Sequence, residues 1–258
     1  MTPREGVDYV SGPSPAALKR AGKDFVCRYV STPGNPKNIT KTEVKSLQKA
    51  NIDIVIVFET TAARSLAGYS AGVYDATSAL EQAKAAGGPA DSAIYFAVDF
   101  DATEDEQLVI NRYLLGAAHV LGKNKVGVYG GIWVVKRALE AGICKYGWQT
   151  YAWSGGRLYE KAHIYQYKNG VYIAGANCDL DRAYRADFGQ WYYEPPKPIG
   201  PQDEEPYWQW LRWQLGEGEY KNHGSDPKWR PLSLPKRVPA SWWIRKIAFL
   251  AARKMKHK

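Results

Sequence analysis

Cysteine is scarce in this chain: Cys27, Cys144 and Cys178 are odd in number, have no C-x-x-C spacing and no clustered histidines beside them. A disulfide framework and a zinc site are therefore not expected, and the three are read as buried free thiols. Long apolar runs are also missing. The longest, such as Ile52 to Phe58, are strand-sized, far short of the roughly 20 residues that cross a bilayer as a helix. The opening MTPREGVDYV has no charged segment followed by an apolar one, so a chain made in a cytoplasm without a signal peptide is expected. Neither G-x-G-x-x-G nor G-x-x-x-x-G-K-[ST] follows any strand-like run, which speaks against a nucleotide cofactor. AWSGG lacks the first glycine of a nucleophile elbow. No oxygen-rich loop of the EF-hand kind accompanies the acids, so no metal is expected. Finally, Lys228 to Lys258 contain no acidic residue.

The 258 residues suffice for one large domain and an appendage. Ten tryptophans and 18 tyrosines are a load that either fills cores or stacks on flat apolar faces such as those of sugars. The net charge of +9 is concentrated at the end, where residues 228–258 carry ten Lys or Arg. That balance implies attraction to a polyanion. PPKPIGPQDEEP, from Pro195 to Pro206, reads as a stiff linker. The expected organisation is a domain over 1–194, a linker over 195–206, and a basic, Trp-rich segment over 207–258. Within the last, Trp208, Trp210 and Trp213 crowd together, and WWIRKIAFLAARKMK has the pattern of a basic amphipathic helix able to lie on an anionic membrane or polymer. Nucleic acid is the weaker partner, since no recognised motif accompanies the charge.

In the first 190 residues, short β-branched or aromatic runs alternate with capped helical patterns, the order that yields parallel strands with crossover helices. The strand candidates are Gly6 to Val10, Phe25 to Val30, Ile52 to Phe58, Ala93 to Asp99 and Lys125 to Tyr129. Ser14 before Pro15, Thr40 with Glu43, and Thr103 with Glu106 are helix-start signals. After a fifth helix there is room only for three bare strands, Trp148 to Trp153, Ala162 to Tyr167 and Ala176 to Leu180. Five βα units and three helix-poor strands predict an α/β fold, a TIM-like β/α barrel of eight strands, with an open doubly wound sheet as the alternative.

Barrel chemistry gathers where strands end at their C-terminal side. The polar residues expected there are Asp8, Arg28, Glu59, Asp99, Asp101, Asp179 and Asp181, with Tyr129, Trp148, Trp153 and Gln166 on the same rim. On an extended chain the carboxylates of Asp99 and Asp101 would share a side, with Cα atoms roughly 7 Å apart. Convergent carboxylates divide acid and base work because burial and repulsion separate their pKa values. Glycoside hydrolysis uses that division.

GVDYV, FVCRYV, IVIVFE, IYFAVDFDA, VGVYGG, WQTYAWSGG, AHIYQY and CDLDRA occur in the order of the glycoside-hydrolase-like domain of actinobacterial wall-associated proteins and their phages. That domain is similar to glycoside hydrolase family 25 lysozymes, and the resemblance covers residues 4–191. It implies a lysozyme-like endolysin that cuts peptidoglycan glycan strands, with Asp99, Asp101 and Glu59 catalytic and Asp8 lining the cleft. The family's fourth strand carries D-x-E, whose Glu is the general acid. Here the segment is Asp99-Phe100-Asp101, so the acid would be the shorter Asp101 unless Glu59 takes the role. The alternatives are a catalytically inactive wall-carbohydrate-binding or virion-associated module using the same cleft, and a structural wall protein that binds through its tail. Residues 228–258 would add contact with an anionic wall polymer or membrane surface. The enzyme would reach the wall through a holin-type lesion or inside a virion.

Overall fold

The computed structural model describes residues 2–191, and the linker and the basic segment expected beyond 194 lie outside them. Eight strands close into a barrel in sequence order. They are β1 (Arg4–Asp8), β2 (Phe25–Val30), β3 (Asp53–Phe58), β4 (Ile94–Ala97), β5 (Val126–Gly130), β6 (Tyr146–Thr150), β7 (Ile164–Ile173) and β8 (Ala176–Ala183). Five helices follow the first five strands: α1 (Pro15–Arg20), α2 (Lys41–Lys49), α3 (Gly68–Ala85), α4 (Glu104–Leu121) and α5 (Ile132–Glu140). The closed TIM-like barrel with five βα units and three helix-poor strands is thus present, and the open sheet is excluded. One feature departs from a parallel barrel: β8 runs antiparallel to both β7 and β1. With no helix between them, β7 can return only through a tight hairpin, and a hairpin reverses direction.

The helix starts follow from side chains that satisfy otherwise orphaned amides. Ser14 accepts from Ala17 N with Pro15 at the first helical position, and Thr103 with Glu106 forms a reciprocal capping box. At α2 only half the box exists: Thr40 accepts from Glu43 N, while the Glu43 carboxylate is taken by Arg28 Nε at 2.6 Å. Helices α3 and α4 approach closely because glycine lies at the crossing. A Cβ on Gly72 would sit 1.9 Å from Tyr113 O, and one on Gly116 would sit 2.1 Å from Tyr69 O.

Strand parity divides the apolar residues into two layers. Val7, Val26, Ile54, Ile56, Phe96 and Val128 face the helices, whereas Phe25, Cys27, Val55, Tyr95, Tyr146 and Trp148 fill the barrel interior. The N-terminal mouth is sealed by Phe188, whose ring lies 4.9 Å from that of Phe25 and whose carbonyl accepts from Tyr95 Oη at 2.7 Å. Only the opposite mouth, at the C-terminal ends of β1–β7, remains for chemistry. Gly72→Ala is expected to push α3 and α4 apart and to lower unfolding free energy in urea by about 1–3 kcal/mol. A loss within about 0.5 kcal/mol, the range of an ordinary surface change, would mean that the helices slide freely.

Candidate active site

The interior residues of successive strands climb from apolar to acidic. On β1 the inward positions are Gly6 and Asp8, and on β8 they are Ala183, Asp181 and Asp179, with Gly6 opposite Asp181 and Asp8 opposite Asp179. Asp179 and Asp181 therefore reach this mouth because β8 starts there, not because it ends there. Asp8 and Asp181 are 2% and 0% exposed.

Every polar atom around this pair is committed. Tyr29 Oη donates to Asp8 Oδ1 at 2.8 Å, and Gln166 Nε2 donates to Asp8 Oδ2 at 2.7 Å. Thr150 Oγ1 and Tyr129 Oη both donate to Gln166 Oε1, at 2.8 and 3.0 Å. Two hydroxyl donors on Oε1 fix the Gln166 amide so that its NH₂ must face Asp8. From below, Trp148 Nε1 donates to Asp181 Oδ1 at 2.9 Å. Asp181 Oδ2 is buried with no donor aimed at it.

Burial, and then the Asp179 charge, raises the Asp8 pKa. Burial, and then the Asp8 charge, raises that of Asp181 well above the carboxylate range. Two neighbouring buried carboxyl groups resist ionising together, so the pair retains a proton to higher pH than a free aspartate does. Burial also raises the Asp179 pKa, against the Gly170 N–H that donates to its Oδ1 at 2.8 Å.

Above the pair, just past the ends of β3 and β4, stand Glu59 and Asp99. Backbone bonds hold both, with Glu59 N donating to Val30 O of β2 at 3.1 Å and Asp99 N to Ala62 O, in the turn after β3, at 3.2 Å. Lys37 Nζ lies 2.7 Å from Glu59 Oε1 and 5.0 Å from the Tyr29 ring centroid. Asp99 is half-buried, and its pKa is raised by that burial and then by the Glu59 charge, with Lys37 opposing. The mouth thus holds a protonatable acid beside an ion-paired carboxylate.

Not all expected residues meet here. β4 ends at Ala97 and the chain bends at Phe100, so Asp101 lies exposed in the loop before α4. The extended geometry that would put it beside Asp99 is absent. Arg28 is not at the mouth: on β2 it alternates with the inward Cys27 and Tyr29, is 3% exposed, and is spent on Glu43, the Tyr9 carbonyl and the Tyr9 ring. Trp148 is an interior residue, edge-on to Tyr129 at 4.7 Å. Trp153 stands in the loop after β6 with a left-handed backbone, φ 54°, partly exposed and outside the hydrogen-bonded network. Tyr29 and Lys37 were not singled out from sequence. The alternation of Phe25, Cys27 and Tyr29 against Val26, Arg28 and Val30 is apolar on both faces, so only the barrel shows which set faces in.

The retained proton has a stability signature. A folded-state pKa raised above the unfolded value makes the contribution fully present below the unfolded Asp pKa of about 4, and it is lost as pH rises through the folded value. Asp181→Asn keeps an acceptor for Trp148 and a donor for Asp8 without the proton. The variant is expected to match the wild type near pH 4 and to exceed it by roughly 1–2 kcal/mol near pH 8, read by urea unfolding at both values. Parallel stability-versus-pH curves for the two proteins would refute the retained proton.

Comparison with known proteins agrees with the fold. Residues 16–195 match the family described as "Rv2525c-like, glycoside hydrolase-like domain". The Mycobacterium tuberculosis protein named "Putative peptidoglycan hydrolase Rv2525c" is 31% identical over 199 residues, covering 72% of this chain and 82% of its own. The crystal structure of the Tat-secreted Rv2525c with L-tartrate superposes with a TM-score of 0.69 and 28% identity over 73% of this chain and 99% of that one. The catalytic domain of endolysin ply40, from bacteriophage P40 of Listeria monocytogenes, shares the fold at 15% identity and a TM-score of 0.51, over 72% of this chain and 95% of that one. Tat secretion of Rv2525c points to export and overturns the expectation of cytoplasmic production without a leader followed by holin-type release or virion packaging. The kinship is with domains of the cell-wall-hydrolase kind, and the chain belongs to the Rv2525c-like, glycoside hydrolase-like family.

Proposed function

We propose that the barrel is a lysozyme-like hydrolase of peptidoglycan glycan strands. The observation that carries this reading is Asp99: half-buried, with a raised pKa, beside the ion-paired Glu59 on the one open mouth of a closed barrel. A carboxylic acid that stays protonated toward neutral pH can protonate the leaving glycosidic oxygen. Glu59, ion-paired with Lys37, faces the positive charge that develops at the anomeric carbon or orients the attacking water. Asp8, Asp179 and Asp181, with Gln166 and Tyr129, form the floor and wall that hold the sugar. Asp101 would approach from the loop side once substrate fills the mouth. The peptidoglycan-hydrolase name and the secretion of Rv2525c support a wall substrate. Residues 228–258, with ten cations and no acid, would add attraction to an anionic wall polymer or membrane surface.

A second reading, a binding module without catalysis, draws on the exposed position of Asp101. Purified peptidoglycan incubated with the wild type, Asp99→Asn and Asp101→Asn separates the two, with reducing ends and free amines measured together. The wild type is expected to release reducing ends, Asp99→Asn to lose about 10²–10⁴ of that rate, and the wild-type rate to fall as pH rises through the raised Asp99 pKa. A larger loss for Asp101→Asn than for Asp99→Asn would move the acid to Asp101. Amines without reducing ends would mean amide cleavage, and saturable binding with neither product would establish the binding module.

A further inference from the structure

The hairpin of β7 and β8 extends past the rim of the barrel mouth. Its two-residue turn has Ala174 at φ 49° and Gly175 at φ 85°, both in the left-handed region that a type I′ connection requires. Two register shifts interrupt β7, between Gln166 and Lys168 and between Lys168 and Val171. One such shift would turn every later side chain of β7 to the opposite face, and two restore the original one. The pairing confirms the result. Gln166 pairs with Asp181, and Tyr172 pairs with Asn177. On the regular β8, Asn177, Asp179 and Asp181 alternate onto one face. Tyr172 and Asn177 therefore continue the acid ladder upward on the same face as Asp179.

The opposite face of this hairpin is anchored. Cys178 is buried in the core layer, and Ile173, Ala176 and Leu180 pack against it. The second bulge is tied in as well, because the Gly170 amide bonds Asp179. The overhang is thus held rigidly, yet Tyr172 is 74% exposed, more than any other large apolar side chain among the described residues, and Asn177 beside it is exposed too. A rigid hairpin that presents an unused aromatic ring directly above a ladder of acids has a simple chemical reading.

We propose that Tyr172 and Asn177 form a platform for an N-acetylated sugar of the glycan strand, and that they position the strand over the acids. The ring offers a flat apolar surface to the C–H face of a pyranose. The Asn177 amide, with a donor and an acceptor on one planar group, matches the acetamido group, which carries the complementary pair. This rests on the glycan-hydrolase reading above and names its substrate contact. Tyr172 acts as a positioning residue and takes no part in proton transfer.

The test uses the full chain carrying Asp99→Asn, so that glycan is bound without turnover, titrated with soluble peptidoglycan glycan fragments in native and N-deacetylated forms. Tyr172→Ala is expected to weaken binding of the native fragment about tenfold, whereas Tyr172→Phe stays within roughly twofold, since the ring face and not the hydroxyl carries the contact. Asn177→Ala is expected to erase most of the preference for the acetylated fragment. In the otherwise wild-type chain, Tyr172→Ala should raise KM with kcat little changed. Unaltered affinity in Tyr172→Ala, with the parent binding glycan normally, would overturn the platform and leave the hydrolase reading standing. No binding by the parent and no cleavage by the wild type would overturn both.

Discussion

Two carboxyl groups closed off from water in the barrel are tolerable only while they retain a proton, and much of the rest of the mouth is arranged around that condition. Asp8 and Asp181 are buried, and among the described residues no basic side chain is bonded to either. Their environment supplies donors instead: Tyr29 and Gln166 to one, Trp148 to the other. Donors without charge stabilise a single negative charge spread over the pair, but not two. The network extends outward from there. Gln166 can serve Asp8 only because Thr150 and Tyr129 hold its oxygen, and the Tyr29 ring lies beside the Lys37 ammonium that pairs with Glu59. Floor and rim are consequently one electrostatic system.

The reversal of β8 is what lets the chain supply so many acids at one level. In an all-parallel barrel each strand delivers its terminal residue, or at most two alternate ones, to the active mouth. The β7–β8 hairpin rises through the mouth and returns, so Asp179 and Asp181 arrive on a descending strand while Gln166 arrives on the ascending one. Two bulges on β7 keep the inward face inward despite the extra residues. The absence of a helix after β7 is therefore part of the design of the site: a crossover helix there would have restored parallel order and removed the ladder.

Much of this was legible from the residues. Alternation, caps and the loss of helical room after residue 141 fix eight strands and five helices, and Asp8, Gln166, Asp179 and Asp181 stand out as polar residues in apolar runs. The position of Arg28 was not legible because parity cannot be assigned where both faces of a strand are buried. Arg28 and Tyr29 are neighbours on β2, and both faces of that strand are apolar otherwise. The inward assignment belongs to Tyr29, because Phe25 and Cys27 share its side within the barrel. Asp101 stands apart from Asp99 for a different reason, since β4 ends at Ala97 and the extended path does not continue to residue 101. The bend at Phe100 and the capping box at Thr103 leave no room for it. Trp153 belongs to a turn that composition does not reveal. Its left-handed backbone is held by Ser154 Oγ, which donates to Thr150 O at 2.6 Å and accepts from Ile132 N at 3.1 Å.

The levels of burial also argue which acid can do chemistry. The Asp8–Asp181 pair lies beneath the side chains of the mouth with Tyr29, Gln166 and Trp148 bonded to it, so a glycosidic oxygen would have to displace satisfied buried hydrogen bonds to reach it. Asp99 has no such commitment. Its backbone is fixed by Ala62 and its side chain is half-buried, close enough to solvent to be reached by a substrate and dry enough to keep a raised pKa. Glu59, next to it, is held in an ion pair with Lys37. Two carboxyl groups of the same mouth, Asp99 with a raised pKa and Glu59 ion-paired to Lys37, are thus set apart by environment rather than by residue type.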